Sequence, residues 1–496
     1  MVSLNQRTQG WLPLFVLAIG ASMIVIDSTI VNVAIPAIIA DLHLTATDVE
    51  WINSIYSLMF AALLIPLGRT GDVRGRRLMF MLGIGLFLAA SVLAAASVSA
   101  AMLIAARVVQ GVGASMAVPM TLAGINALYT GSRRTIAFAV WGSVIGGMAA
   151  VGPLTGGWLV TDFGWRWAFW VNVPIGLLVL LGALRVPESR DPSAGGWDVP
   201  GLLLSVIGPF SLVFGLIEGQ RYDWAMPIPL AFCVAAVALT ALVLVERARA
   251  RAGRPIMLDL SLLSIRSFRY GGAAGMVVSI GEFGLILIVP LFLQTAIGFT
   301  ALQTGMIIAA MAVGAFIAGS VVPKLARLIS PRAIVQAGLG LEVIGAFGIA
   351  WVLSPHVGPW TLVPWLFAYG FGMGFASAQL TGVTLAGVPA HKSGRASGLQ
   401  SSIRQVGAAI GIAALGTVLV TGLGSAMTQK LPDRPDLARA VRDSGGAAIA
   451  AIRDPATHAL AVEASVSATR RVMTVTGLVL LFGVGATMLL PGKEEA

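Results

Sequence analysis

Five ionisable residues stand well inside long apolar stretches of the chain: Asp27, Arg107, Glu282, Glu342 and Arg404. A charge at the centre of a bilayer costs at least about 2.5–3.5 kcal/mol on insertion scales, so each needs a reason to be there. Asp27 lies midway along the first apolar run, in Met23-Ile-Val-Ile-Asp-Ser-Thr-Ile-Val-Asn-Val-Ala-Ile-Pro36. A carboxylate at that depth is expected to face a polar cavity and exchange a proton. Glu282 stands twelve residues into the run 270–294, with Ser279 and Gly275 one and two turns before it on nearly the same face. A small, polar stripe ending in a carboxylate suits a cavity wall that binds a proton or a cation. Glu342 sits among Gly338, Gly340 and Gly345, either a further coupling acid or a buried partner for a hydroxyl or an arginine. Arg107 keeps its charge at all working pH values. It cannot carry the proton, but it can neutralise a neighbouring acid or hold a central hydrogen-bond network. Arg404, in Gln400-Ser-Ser-Ile-Arg-Gln-Val-Gly407, serves either packing or gating. Glu218 and Glu246 fall at the ends of apolar runs, where they are expected to meet water.

The elements that position these residues follow from composition. The chain has 496 residues, 57% hydrophobic and only 11% charged, against about 25% charged in a soluble domain. A chain this apolar could not cover its surface in water. The apolar runs are continuous and about 20 residues long, the length of a membrane-crossing helix, without the alternation of a barrel strand. Fourteen such runs are expected, at roughly 12–39, 49–67, 78–97, 101–128, 136–161, 168–185, 199–217, 227–246, 270–294, 302–323, 333–353, 360–386, 396–420 and 472–490. The fold class is therefore an all-α polytopic membrane protein. A single Cys233 excludes disulfides, and His43, His356, His391 and His458 all lie outside the runs, which argues against an intramembrane metal site.

An even number of spans puts both termini on one side. With the N-terminus inside, 21 of the 32 Lys and Arg fall in cytoplasmic segments and two lie within spans. Of the nine outside, seven sit in or beside one long stretch, 421–471, where charge counts little toward orientation. Both termini are thus expected in the cytoplasm and 421–467 outside, with a short amphipathic helix within 438–451. The net charge of +10 has the same cause, so no nucleic-acid partner is expected.

Leu64–Arg77 and Gly319–Arg332 form a weak repeat, with Arg332 against Arg77 and Arg327 against Asp72. Two related six-helix halves with a substrate site at their midplane interface are a common transporter plan. The domains are then 1–190, a first half; 191–254, two extra helices; and 255–496, a second half. The loop Gly68-Arg-Thr-Gly-Asp-Val-Arg-Gly-Arg-Arg77 combines turn-making Gly68 with Asp72, which can accept charge-assisted bonds, and with Arg76 and Arg77. Such a cluster can latch the halves in one state. In Gly142–Gly157, Gly152, Gly156 and Gly157 allow close helix contact and Pro153 bends the helix, a mechanical feature for a gate. No GxxxxGK[ST] motif is present, so nothing suggests an ATPase, and the chain is not expected to be an enzyme. Tyr56, Trp141, Phe283, Tyr369 and Phe375 are candidate walls of a substrate cavity.

Taken together these motifs resemble the major facilitator superfamily, and within it the fourteen-helix drug:proton antiporters. Asp27, Thr29, Asn32 and Pro36 are similar to that group's first-helix signature. Gly68–Arg77 is similar to the superfamily loop motif, with Val73 where a basic residue is usual. Arg107, Gln110, Gly111 and Gly113 match the motif linked to proton transfer, and Gly152, Pro153, Gly156 and Gly157 match the antiporter motif. Gly164–Gly176 looks like a further marker of the group. The resemblance implies a bacterial inner-membrane exporter of hydrophobic, often cationic drugs, dyes or natural products. It would work by alternating access as a monomer among membrane lipids, driven by the proton gradient and without a cofactor. Alternatives are a dedicated exporter of one natural product, or a lipid transporter.

Overall fold

The computed structural model describes residues 10–129, 131–190, 198–219, 221–325, 328–385, 387–388 and 393–489. Both chain ends, Arg327, His391 and the expected boundary at 190/191 fall at or beyond the edges of these segments.

The described residues form helices and no strands. In chain order they are α1 (Leu12–Leu42), α2 (Ala46–Arg74), α3 (Arg76–Ala95), α4 (Ala100–Leu128), α5 (Gly131–Phe163), α6 (Trp167–Trp170), α7 (Asn172–Ala183), α8 (Val199–Glu218) and α9 (Ile228–Arg251). They continue with α10 (Arg266–Thr295), α11 (Ala301–Leu325), α12 (Pro331–Val352), α13 (Pro359–Leu385), α14 (Ser393–Lys430), α15 (Pro435–Asp443) and α16 (Pro455–Thr487). Among the described residues, eleven helices are long and apolar enough to cross a membrane, and Trp167–Ala183 is a shorter apolar helix. Local chemistry sets the boundaries. Thr45 and Asp48 form a reciprocal capping box that starts α2. Ser99, Ser330 and Asp454 accept backbone N–H groups at the starts of α4, α12 and α16. Gly75, at φ +130°, makes the sharp passage from α2 to α3 that a side chain would strain.

Two halves result. In the first, α1 packs on α5 and α7, and α4 on α2 and α3; in the second, α10 packs on α14, and α13 on α11 and α12. The halves meet along α5–α11 and α2–α14. At the end of the bundle holding residues 43–45 they share one core, in which Ile30–Ile39 of α1 join Leu285–Leu293 of α10 and Leu415–Met427 of α14. Toward the other end, Leu14–Ile24 of α1 pack in a separate cluster with residues of the first half. The hairpin α8–α9 is peripheral: only 28% and 22% of their apolar windows are buried, against 72% for α10.

The expected long polar segment 421–467 is mostly helical. The α14 helix continues to Lys430 and α16 begins at Pro455, well before the expected start at 472. Polar residues there decorate helix ends that outrun the apolar core, and Lys430 and Glu463 pair across them at 2.5 Å. Within 438–451, α15 ends at Asp443 and a short 3₁₀ turn covers Ala447–Ala451. Glu218 and Glu246 are buried, not wet as expected. Glu218 accepts the Trp51 indole N–H at 2.9 Å. Glu246 accepts the backbone N–H groups of Met257 and Leu258, tying the end of α9 to the link that follows it.

Candidate functional site

In the first half, five helices build a cluster around one carboxylate. Arg107 Nη1 of α4 donates to Asp27 Oδ2 of α1 at 2.7 Å. On Oδ1, Gln110 Nε2 donates at 3.0 Å and Asn172 Nδ2 of α7 at 2.7 Å. Ser91 of α3 accepts from both amides, and Arg107 also reaches Gln110 Oε1 and the Ile52 carbonyl. Tyr56 of α2 lies beneath the guanidinium, 4.3 Å from ring centroid to Cζ. Asp27 and Arg107 are 0% and 1% exposed. Glycines make this closeness possible: a Cβ at Gly111 would come 2.8 Å from the Tyr56 carbonyl, and one at Gly113 would come 2.8 Å from the Gly83 carbonyl. Asp27 is therefore sealed inside its own half, where a polar cavity was expected. A bilayer interior offers no water to satisfy such groups, so both carboxylate oxygens draw donors from other helices.

The second half is arranged differently. Glu282 of α10 and Arg404 of α14 approach to 3.5 Å, with side chains 14% and 29% exposed. Arg404 Nε donates to Ser279 Oγ at 3.4 Å, so the small polar stripe on α10 does meet the arginine. Glu342 of α12 lies within electrostatic range of Glu282 and Arg404. It is wholly buried, and neither carboxylate oxygen has a hydrogen-bond partner. The Tyr369 hydroxyl, in range of both glutamates, is likewise buried without a partner. This is a looser centre than that of Asp27, and Asp27 and Glu282 share no hydrogen-bond partner.

Apart from Arg404, the candidate gating residues fall into two places. Asp72 pairs with Arg76 at 2.8 Å, one turn along its own half. Arg77 Nη1 donates to the Val186 carbonyl, while its backbone N–H and that of Leu78 donate to Glu188. Glu188, which the sequence did not single out, thus caps the start of α3. A Cβ at Gly68 would make ordinary contact with Pro119 of α4, at 3.6 Å. The second place is α5. A Cβ at Gly152 or Gly156 would run into Thr29 or Ile30 of α1, and one at Gly157 would come 2.7 Å from the Ala301 carbonyl of α11. At Gly305 a Cβ would meet the Pro153 carbonyl at 2.3 Å. The α5 motif thus forms the seam between the halves at their shared end, reinforced where Leu302 N–H donates to Thr161 and Gln294 donates to the Val33 carbonyl.

Of the candidate cavity aromatics, three fill helix interfaces. Tyr56 is stacked under Arg107, Tyr369 is fully buried against Gly345, and Phe375 packs on Phe371 among Ala318, Val322 and Ile334. Trp141 and Phe283 are half-buried and keep some free surface. A second acid, besides Glu188, escaped the sequence analysis. Glu50, one turn into α2, is 5% exposed and lies at the α2–α14 seam.

A bundle of membrane-length helices in two halves, with charges buried between helices, defines a polytopic membrane protein. A sequence model of the Major Facilitator Superfamily matches residues 17–412, and the chain belongs to that family. It is 33% identical to the multidrug efflux pump LfrA of Mycolicibacterium smegmatis, over 91% of this chain and 89% of that one. It is 32% identical to a probable actinorhodin transporter of Streptomyces coelicolor, over 88% and 77%. It is 34% identical to the puromycin resistance protein pur8 of Streptomyces alboniger, over 82% and 81%. Among solved structures, a bacterial homologue of the human lysosomal transporter Spinster, inward-facing and occupied, shares the fold with a TM-score of 0.67 at 17% identity, over 96% of each chain.

Proposed function

We propose that this protein is a proton-coupled exporter of hydrophobic, often cationic small molecules in the bacterial inner membrane. The observation that carries the reading is the Glu282–Arg404 pair. It is a mid-helix ion pair held at only 3.5 Å, partly accessible, with the unpartnered Glu342 in range. A carboxylate that gains a proton gives up its hold on a cation, and one that loses it regains that hold. Glu282 can therefore serve a proton and a cationic substrate in turn, with Arg404 as the standing counter-charge. The Asp27–Arg107 cluster supplies the rigid first half against which the second rocks. Moving one net charge across 100 mV supplies about 2.3 kcal/mol.

The rest of the reading is topological. Fourteen spans, divided as 1–190, 191–254 and 255–496, place both termini in the cytoplasm and residues 431–454 outside, in a monomer. The seam of α5 with α11 then closes the outer end, so the described state is shut to the outside. A C-terminal tag should stay unlabelled in intact cells.

Proteoliposomes loaded with a cationic dye and given an imposed proton gradient test the function. Gradient-driven dye movement is expected in wild type, with loss of it and of substrate-induced proton release in Glu282→Gln. Equal transport with and without the gradient would refute proton coupling. A second reading, export of one natural product only, is favoured by the relatives named for actinorhodin and puromycin. A substrate panel in the same vesicles separates the two.

A further inference from the structure

Where the hairpin α8–α9 hands over to the link 252–265, two buried carboxyls stand side by side. Asp198 caps the start of α8 and Glu246 lies near the end of α9, 6% and 1% exposed. The Met257 backbone N–H reaches both of them, Asp198 Oδ2 at 3.1 Å and Glu246 Oε1 at 3.2 Å. Glu246 Oε1 also accepts the Leu258 N–H at 3.0 Å, and the two acidic side chains are within hydrogen-bonding reach of each other. The α8 backbone makes room for the pair at Gly201, where a Cβ would come 2.6 Å from Asp198 Oδ2 and 2.7 Å from Glu246 Oε1. Glu246 Oε2 is buried with no hydrogen-bond partner.

The charges around the pair do not balance it. Among the described residues, the cation set against it is Arg249, whose Nε lies 3.0 Å from Asp198 Oδ1 and donates to the Pro255 carbonyl at 2.9 Å. Arg247, Arg251 and Arg254 are exposed, and Asp259, the next acid along the link, is engaged by Ser261. One arginine offsets one carboxylate, not two. Buried acids this close do not both ionise but hold one proton between them. Without that proton, the repulsion falls on the contact that the Met257 N–H bridges. The link so held is not idle chain. Its Leu258 and Leu262 pack with Phe268 of α10, Ala396 and Leu399 of α14 and Ile65 of α2, where the two halves meet away from residues 43–45. We propose that Asp198 and Glu246 form a proton-set latch: sharing one proton they clamp the hairpin α8–α9 to the link, and on losing it they release the link. The proton favours the latched form, so the latch holds at low pH and loosens as pH rises. Under the topology proposed above this end faces the cytoplasm, so the latch would report the inner pH; that clause alone rests on the topology.

Hydrogen–deuterium exchange at the amides of residues 256–262, in the purified full-length protein in detergent, tests the latch. Glu246→Gln keeps an acceptor for the Met257 and Leu258 N–H groups but cannot ionise, so it serves as the reference in which the ordinary pH dependence of exchange cancels. Between about pH 5.5 and 9, exchange in wild type relative to Glu246→Gln should rise with pH, by at most about tenfold per pH unit for one linked proton. Asp198→Asn should behave as Glu246→Gln does, and it becomes the reference if thermal unfolding shows that Glu246→Gln has lost its fold. Glu246→Ala, which removes the acceptor, should exchange fast at every pH. A constant ratio of wild type to the reference, a link that tightens as pH rises, or slow exchange in Glu246→Ala would overturn the proposal. The measurement uses neither gradient nor substrate, so a flat ratio leaves the export reading standing, and failure of gradient-driven transport leaves the latch standing.

Discussion

Replacing Asp27 by Asn should destabilise the protein far more than its near-identical shape suggests, and the reason lies in the donors around it. Arg107 points an N–H at Oδ2, while Gln110 and Asn172 both point N–H groups at Oδ1. An asparagine has one oxygen and one NH₂. Whichever way it is turned, the NH₂ faces a donor, and Arg107 is left without its carboxylate at 1% exposure. Breaking a buried pair by removing one partner costs about 3–5 kcal/mol. Removing both charges leaves no stranded ion, so Asp27→Asn with Arg107→Gln should recover a large part of that loss. The expected coupling between the two substitutions is on the order of 2 kcal/mol or more. Thermal and denaturant unfolding of the four proteins of the cycle, in one detergent, measures it. A single Asp27→Asn variant as stable as wild type, or losses that simply add, would refute the view that this cluster is a closed structural network.

Asp72→Asn breaks only a partly exposed pair with Arg76, of the kind worth up to about 1 kcal/mol, so membrane insertion should survive while transport falls. Wild-type transport would leave the loop a purely topological role. Gly157→Leu should prise α5 from the start of α11, since even a Cβ there would come 2.7 Å from a carbonyl. In a Cys233→Ser background, a cysteine at Leu302 should then label faster from outside, and unchanged labelling would count against the seam. Asp454 accepts the backbone N–H and the hydroxyl of Thr457, which hold its carboxyl below the usual range. Its contribution to the start of α16 is therefore present above the ordinary carboxylate pKa and lost as pH falls through the lowered one. Amide exchange at residues 456–458 should quicken only in that acid range in wild type, and at all pH values in Asp454→Ala.

The sequence by itself determined the class of structure and the short list of residues that matter. An apolar run long enough to span, or an acid inside one, is legible because hydrocarbon penalises each residue where it stands, whatever its neighbours. The glycines of α5 were legible for a related reason, since helices in lipid can pack closely only where side chains are small. Tertiary structure decided the pairings. Asp27 and Arg107 are 80 residues apart, and Asn172 gave no sign that it would complete their network. Glu50 reads in the sequence as a polar residue near a helix start, and only the approach of Gly416 from the other half buries it. Likewise the polar stretch 421–471 scores poorly for lipid, yet α14 and α16 continue through much of it. Hydropathy reports the affinity of a segment for hydrocarbon, whereas a helix needs only its own backbone hydrogen bonds and a neighbour to lean on. That neighbour is supplied by chain distant in sequence: Arg470 of α16 donates to the Ala350 and Leu353 carbonyls at the end of α12, a contact no local pattern encodes.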